Sequence, residues 1–170
     1  MKNRLAILPV RKSHHLPDFC YKNGCFFVTI CTYKRRPILS RIDVGQGLAP
    51  AVPELTTYGR IVERELLALE TRFRDVKIDK YVIMPNHIHA IVAIEPPQAA
   101  GASPCPTLSA VIGAFKSLAT LQCKKRYPID KIFQNSYYDH AIRGQTDYDE
   151  IWTYIDQNPQ KWELDKLFVI

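Results

Sequence analysis

His87 and His89 stand one residue apart in the stretch Tyr81-Val82-Ile83-Met84-Pro85-Asn86-His87-Ile88-His89-Ala90-Ile91-Val92. Alternate side chains of a strand share a face, so both imidazoles point one way while Ile88, Ala90 and Val92 point the other. Imidazole is the commonest metal ligand, and two on one strand face make half of a metal site. Spacing alone also permits a blander reading, with one histidine on the surface and the other in a structural hydrogen bond. A structural zinc centre takes four ligands, usually with cysteines among them. The chain has no Cys-x-x-Cys pair, so any further ligand has to come from elsewhere.

A second group lies near the C-terminus. Tyr148, Ile151, Trp152 and Ile155 recur at i, i+3, i+4 and i+7, the spacing of a helix face packed on a core. At about 100° per residue Tyr154 falls beside that stripe, and Asn158, four residues on, shares its flank. Tyr154 either borders the core with its hydroxyl in water or serves chemistry. A phenol with a pKa near ~10 is a poor nucleophile at neutral pH, but it becomes useful where a metal has drawn charge from the phosphorus under attack. A divalent ion on His87, His89 and the side-chain oxygen of Asn158 would leave positions for water and a phosphate oxygen. Such a nitrogen and oxygen set suits Mg²⁺ or Mn²⁺. Attack by Tyr154 would form a phosphotyrosine diester and expel a sugar 3′-hydroxyl, keeping the bond energy for rejoining without ATP.

The elements that must position these residues follow from pattern. Cys25 to Tyr33 is β-branched and aromatic, a buried strand ended by Lys34-Arg35-Arg36-Pro37. Leu55, Tyr58, Ile61, Val62, Leu66, Leu69 and Phe73 predict one long amphipathic helix. Strands are expected over about 76–84 and 87–94, joined as a hairpin across Pro85-Asn86. Residues 95–106 carry four of the twelve prolines and read as a loop. A helix runs from Leu108 to about Gln122, a short strand over 136–143, and a last helix from about 145 to 157, stopped by Asn158-Pro159. The order βαββαβ followed by a helix predicts an α+β chain. Its arrangement is the ferredoxin-like split βαβ, an antiparallel sheet with helices on one face and a C-terminal helix carrying the tyrosine. Residues 1–23 are expected as a basic arm, 24–162 as the domain and 163–170 as a tail.

Composition narrows the partners. With 170 residues and 46% hydrophobic content the chain fits one globular domain. A net charge of +6 favours polyanions, though only weakly. Five cysteines without framework spacing and an N-terminus without an apolar run predict a reduced, cytoplasmic protein. No stretch approaches the roughly 20 apolar residues that cross a bilayer, which argues against a membrane partner.

The blocks Phe27 to Thr32, Val82 to His89, Phe115-Lys116-Ser117, Tyr137 to Arg143 and Tyr154 to Trp162, in this order, resemble the REP-associated tyrosine transposases. These are single-tyrosine members of the HUH nucleases, whose His-hydrophobic-His signature His87-Ile88-His89 resembles. The resemblance implies catalysis by Tyr154, metal ligation by His87 and His89, and cleavage and transfer of single-stranded DNA near palindromic repeats that fold into hairpins, through a 5′-phosphotyrosine intermediate. Insertion-sequence relatives often place a Gln or an acidic residue where this chain has Asn158. DNA contacts are expected from Lys34, Arg35, Arg36, Lys116 and Arg143, although each also reads as a solvated charge. Tyr137 and Tyr138 suit strand packing, with base stacking as the alternative. The chain is expected as a monomer or a homodimer. Two other readings compete with strand transfer. A non-catalytic nucleic-acid-binding module would form no covalent adduct, and a phosphodiesterase using water would dispense with Tyr154.

Overall fold

A computed structural model describes residues 24–42, 52–95 and 106–168. The expected N-terminal arm and most of the proline-rich loop lie outside these residues. Strand β1 (Cys25–Cys31) leads into a 3-10 turn, Tyr33–Arg35. A two-stranded ribbon, β2 (Ser40–Arg41) with β3 (Glu54–Leu55), follows. Then come α1 (Thr57–Leu67) and the short α2 (Leu69–Arg72), β4 (Val76–Ile83), β5 (His87–Ile94), α3 (Leu108–Lys124), β6 (Tyr138–Ala141) and α4 (Gln145–Gln157). A second 3-10 segment, Pro159–Leu164, ends the regular structure.

The main sheet runs β4-β5-β1-β6 with every neighbouring pair antiparallel. β5 lies between β1 and β4, and β1 between β5 and β6. The two split βαβ units therefore interleave, and the predicted architecture is the observed one. Two local details differ from expectation. The helix expected over 55–73 is divided at Ala68, and the β2–β3 ribbon, with two residues per strand, is too short to show periodicity.

Helices cover both faces of the sheet rather than one. Ile88, Ala90, Val92 and Ile94 join Val28, Ile30, Ile112 and Phe115 in the core beneath α1 and α3. Ile91 and Ala93, on the histidine side of β5, join Val82, Met84, Tyr148, Trp152 and Ile155 beneath α4. The reason lies in β5 itself: beyond His89 its histidine face turns apolar, and exposed apolar surface drives a second layer onto it. Burying each large side chain of that layer contributes about 1.5–3 kcal/mol.

A β-bulge in β4 fastens α4 in place. The pairing register shifts between Ile78 and Lys80, so Ile78 faces α1 and α3 and, past the bulge, Tyr81 and Ile83 do the same. Lys80 is thereby turned toward α4. Its ammonium, on a side chain only 5% exposed, meets Asp156 at 2.6 Å and lies 4.8 Å from the centre of the Trp152 ring. The Tyr148 hydroxyl donates to Asp79 at 3.3 Å. These contacts hold the helix that carries Tyr154 at a set position over the sheet.

Candidate active site

The sheet register brings the site together. β1 and β5 pair Thr29 with His89 and Cys31 with His87, on the face that α4 covers. Both histidines are buried, and their Nε2 atoms lie 3.0 Å apart. Asn86 sets the orientation of His87. The Asn86 amide nitrogen donates to the Leu167 carbonyl at 2.7 Å, which leaves Asn86 Oδ1 facing His87 Nδ1 at 2.8 Å. A carbonyl oxygen only accepts, so Nδ1 carries the proton of the neutral ring and the Nε2 lone pair points at His89. Thr29 Oγ1 meets His89 Nδ1 at 2.9 Å and holds the orientation of that ring, with either atom able to donate.

Burial pushes His87 down to about 4, against the pull of Asp165 and with Arg35 adding to the fall. Burial and the neighbouring His87 hold His89 well below its ordinary range. Both rings are therefore neutral near pH 7, the form that binds metal. Two nitrogens at about 2.1 Å from one ion and at right angles to each other stand about 3 Å apart, which matches the observed separation.

Oxygen donors complete the arrangement. Asn158 is 4% exposed, and its Oδ1 is buried without a hydrogen-bond partner, while its amide nitrogen donates to Asp165 Oδ2 at 3.0 Å. An orphaned buried carbonyl costs free energy unless something accepts its lone pairs, and a cation would. Asp165 is the residue that sequence reasoning missed. Its carboxylate falls with the two imidazoles in a cluster whose ligand atoms lie within 4.8 Å of one another, and His87 Nε2 is 3.9 Å from Asp165 Oδ2. The donor set of two neutral nitrogens, an amide oxygen and a carboxylate suits a hard or borderline divalent ion such as Mg²⁺ or Mn²⁺.

Tyr154 sits at the rim. Its hydroxyl is 3.3 Å from His89 Nε2, its ring meets Phe27 edge-on at 5.9 Å, and 46% of the residue stays exposed. Burial raises its pKa, Asp165 adds to the rise, and Asn158 opposes it. The phenol is thus protonated and weakly nucleophilic unless positive charge is placed beside it. A cavity of about 790 Å³ opens in front of it, with Phe27, His89, Tyr137, Tyr138, Tyr154 and Asn158 among its lining residues.

The other expected residues divide. Lys34 and Arg35 are exposed, with left-handed φ values of 57° and 53°, and the charge of Arg35 is felt at His87. Arg36 is committed elsewhere, its guanidinium donating to the carbonyls of Lys131 and, at 3.3 Å, Tyr33. Lys116 lies on α3, outside the cavity, and donates to the carbonyls of Asn135 and Ser136. Arg143 is exposed just before α4 and does not line the cavity either. His140 pairs with the Asp147 carboxylate at 2.8 Å. Asp156 and Gln157, next to Asn158 in sequence, accept from Lys80 and Lys161. Tyr148 is fully buried, as its stripe predicts. Tyr138 is 61% exposed, so strand packing does not account for it. Residues expected as a tail dock on the domain: Phe168 packs on Trp162 at 5.1 Å, and Asp165 accepts from the Leu167 amide at 2.6 Å. The signal for this was the apolar run Trp162, Leu164, Leu167 and Phe168 around a single Asp.

The model of the family described as IS200-like transposase matches residues 62–158, more than half of the chain. An uncharacterised protein of Haemophilus influenzae is 30% identical to it, over 94% of this chain and 93% of its own length. Among solved structures, a REP-associated tyrosine transposase bound to a REP hairpin superposes with a TM-score of 0.58 at 20% identity, covering 89% of this chain and 73% of that one. A candidate transposase from Deinococcus radiodurans R1 gives a TM-score of 0.50 at 14% identity, over 78% of this chain and 89% of its own. At these identities the structural likenesses speak to fold.

Proposed function

The chain belongs to the IS200-like transposase family, and on that premise we propose that it cuts and rejoins single-stranded DNA beside hairpin-forming palindromic repeats, with Tyr154 as the nucleophile. The observation that carries this reading is the Tyr154 hydroxyl at 3.3 Å from His89, one of the two imidazoles that cluster with the Asp165 carboxylate and the buried Asn158 oxygen. Bound there, Mg²⁺ or Mn²⁺ would neutralise phosphate charge and favour the phenolate.

The chain's own residues do the rest. His87, His89, Asn158 and Asp165 would hold the ion, while Asn86 and Thr29 keep the imidazoles aimed. The Tyr154 oxygen forms a bond to phosphorus as the bond from phosphorus to the sugar 3′-oxygen breaks. The phenolic proton leaves to water at the open side of the ring, and the 3′-oxygen takes one from water. The strand is then held as a 5′-phosphotyrosine diester. Attack by a 3′-hydroxyl reverses the step and regenerates the phenol, so strands are exchanged without an outside energy source. Lys34 and Arg35 would hold the flanking phosphates, a reading that their exposed charges support, and Tyr138 offers an exposed ring for an unpaired base. The hairpin in the structural relative supports a hairpin substrate here. The setting is the cytoplasm. Joining two DNA ends with one tyrosine per chain draws on two turnovers or two chains.

Incubation with end-labelled hairpin DNA and Mn²⁺ tests the reading. It predicts a denaturant-resistant protein–DNA adduct that EDTA abolishes. Cleavage that leaves no adduct would instead identify a phosphodiesterase that uses water.

A further inference from the structure

Lys80 is a charged residue in an apolar layer. Its side chain, 5% exposed, is turned to the sheet face on which Val82, Met84 and Ile91 pack beneath α4 against Trp152 and Ile155. The penalty for desolvating an ammonium can exceed the attraction its partner supplies, and an apolar side chain of similar length would be buried here without that penalty. The partner, Asp156 at 2.6 Å, has a side chain 59% exposed, so water screens the pair and weakens it further. Stability therefore gives no reason for a lysine at this position.

Geometry does. Across β4 and β5, Lys80 pairs with Ile91 and Val82 with His89, so the ammonium is carried on the strand that adjoins His89. Asp156 follows Tyr154 by two residues on α4, and the Tyr154 hydroxyl returns to His89 at 3.3 Å. The contacts close a ring around the reacting groups. The ammonium also lies 4.8 Å from the centre of the Trp152 ring, and Trp152 and Asp156 are i and i+4 on one side of the helix. Two points of α4 are thus referred to one atom of the sheet.

At about 100° per residue, Tyr154 and Asp156 leave the helix on opposite flanks. A turn of α4 about its axis strains the ion pair as it moves the hydroxyl. Apolar burial resists such a turn weakly because it is non-directional. Side chains reach about 5–6 Å from a helix axis, so a turn of about 10° displaces the hydroxyl by roughly 1 Å. Misplacing a reacting group by that distance can slow a reaction by up to about a hundredfold.

We propose that Lys80 is a positioning residue for Tyr154: its ion pair with Asp156 fixes the rotation of α4 and so sets the Tyr154 hydroxyl against His89. The consequence for rate rests on reading Tyr154 as the nucleophile.

Two variants break the pair with opposite effects on stability. Lys80→Met removes the buried charge and leaves Asp156 to water, so its Tm should equal or exceed that of wild type. Asp156→Asn strands the ammonium, so its Tm should fall. Adduct formation on hairpin DNA, at saturating DNA and Mn²⁺, should nevertheless slow by about tenfold or more in both. The apparent KM for DNA should stay unchanged, and the double variant should lose no more than either single one.

A second readout needs no reaction. The Tyr154 ring signals of tyrosine-labelled protein, identified by their loss in Tyr154→Phe, report the setting of that ring against Phe27 and His89. They should shift in both variants. A wild-type rate in either variant, or rates that follow Tm across the set, would overturn the proposal. A wild type that forms no adduct, with the signals shifted in both variants, would keep the positioning and remove the nucleophile reading. A wild-type adduct with the signals unmoved in both variants would remove the positioning alone.

Discussion

The hydroxyl of Tyr154 lies 3.3 Å from Nε2 of His89, at the cavity that both residues line. His87 and His89 are buried to 0% and 2% exposure, whereas Tyr154 remains 46% exposed. A strand can therefore approach the tyrosine while protein encloses the imidazoles. The relation depends on two unrelated parts of the chain, a strand register that lines up β1 with β5 and a helix fastened to β4 through Lys80 and Tyr148.

Metal binding should depend on both histidines. His87→Ala and His89→Ala are expected to abolish measurable Mn²⁺ binding by titration calorimetry while circular dichroism remains that of a folded α+β protein. Each leaves a buried partner, Asn86 Oδ1 or Thr29 Oγ1, without its bond, which costs about 1–3 kcal/mol of stability. Wild-type Mn²⁺ affinity in both variants would remove the cluster as the metal site.

The two oxygen donors are expected to differ. Asp165→Asn removes an anionic ligand, whereas water can replace the neutral oxygen lost in Asn158→Ala, so the aspartate variant should show the larger fall in Mn²⁺ affinity. Roughly tenfold for Asn158→Ala and more for Asp165→Asn are the expected losses. An unchanged titration for Asp165→Asn would take that residue out of the ligand set.

What could be read from the residues, and what could not, follows from the range of each signal. Periodicity is local, so it placed the histidines on one strand face, put Tyr148 in the core and set Tyr154 beside the stripe. The same helix period linked Tyr154 to Asn158. Asp165 lies beyond the helix end, where no period applies, and only the docking of residues 165–168 brings it back to His87. Lys80 was hidden for a related reason: a bulge at Asp79 inverts the alternation of β4, and a strand pattern read without the bulge assigns it to the other face. The second layer over the histidine face was legible in Ile91 and Ala93, once their side of β5 is followed past the histidines.

The basic turn after β1 offers a charge test. Lys34 and Arg35 are exposed, whereas Arg36 is tied to the carbonyls of Lys131 and Tyr33, and substituting Lys34 and Arg35 by Gln should flatten the salt dependence of single-stranded DNA binding by about 2 in log–log slope. Electrophoretic mobility shifts across a salt series measure it. A slope identical to wild type would place the turn outside the interface.

The central claim is that Tyr154, of nine tyrosines, is the residue joined to DNA. Tyr154→Phe keeps the ring against Phe27 and removes the attacking oxygen, so it should bind DNA and form no adduct. Tyr148→Phe should still form the adduct, since its hydroxyl faces Asp79 in the core. The direct measurement is mass spectrometry of the DNA-linked peptide after cleavage in Mn²⁺ and protease digestion. The account predicts a nucleotide remnant on Tyr154 alone. A remnant on any other tyrosine, or full strand cleavage by Tyr154→Phe, would contradict it.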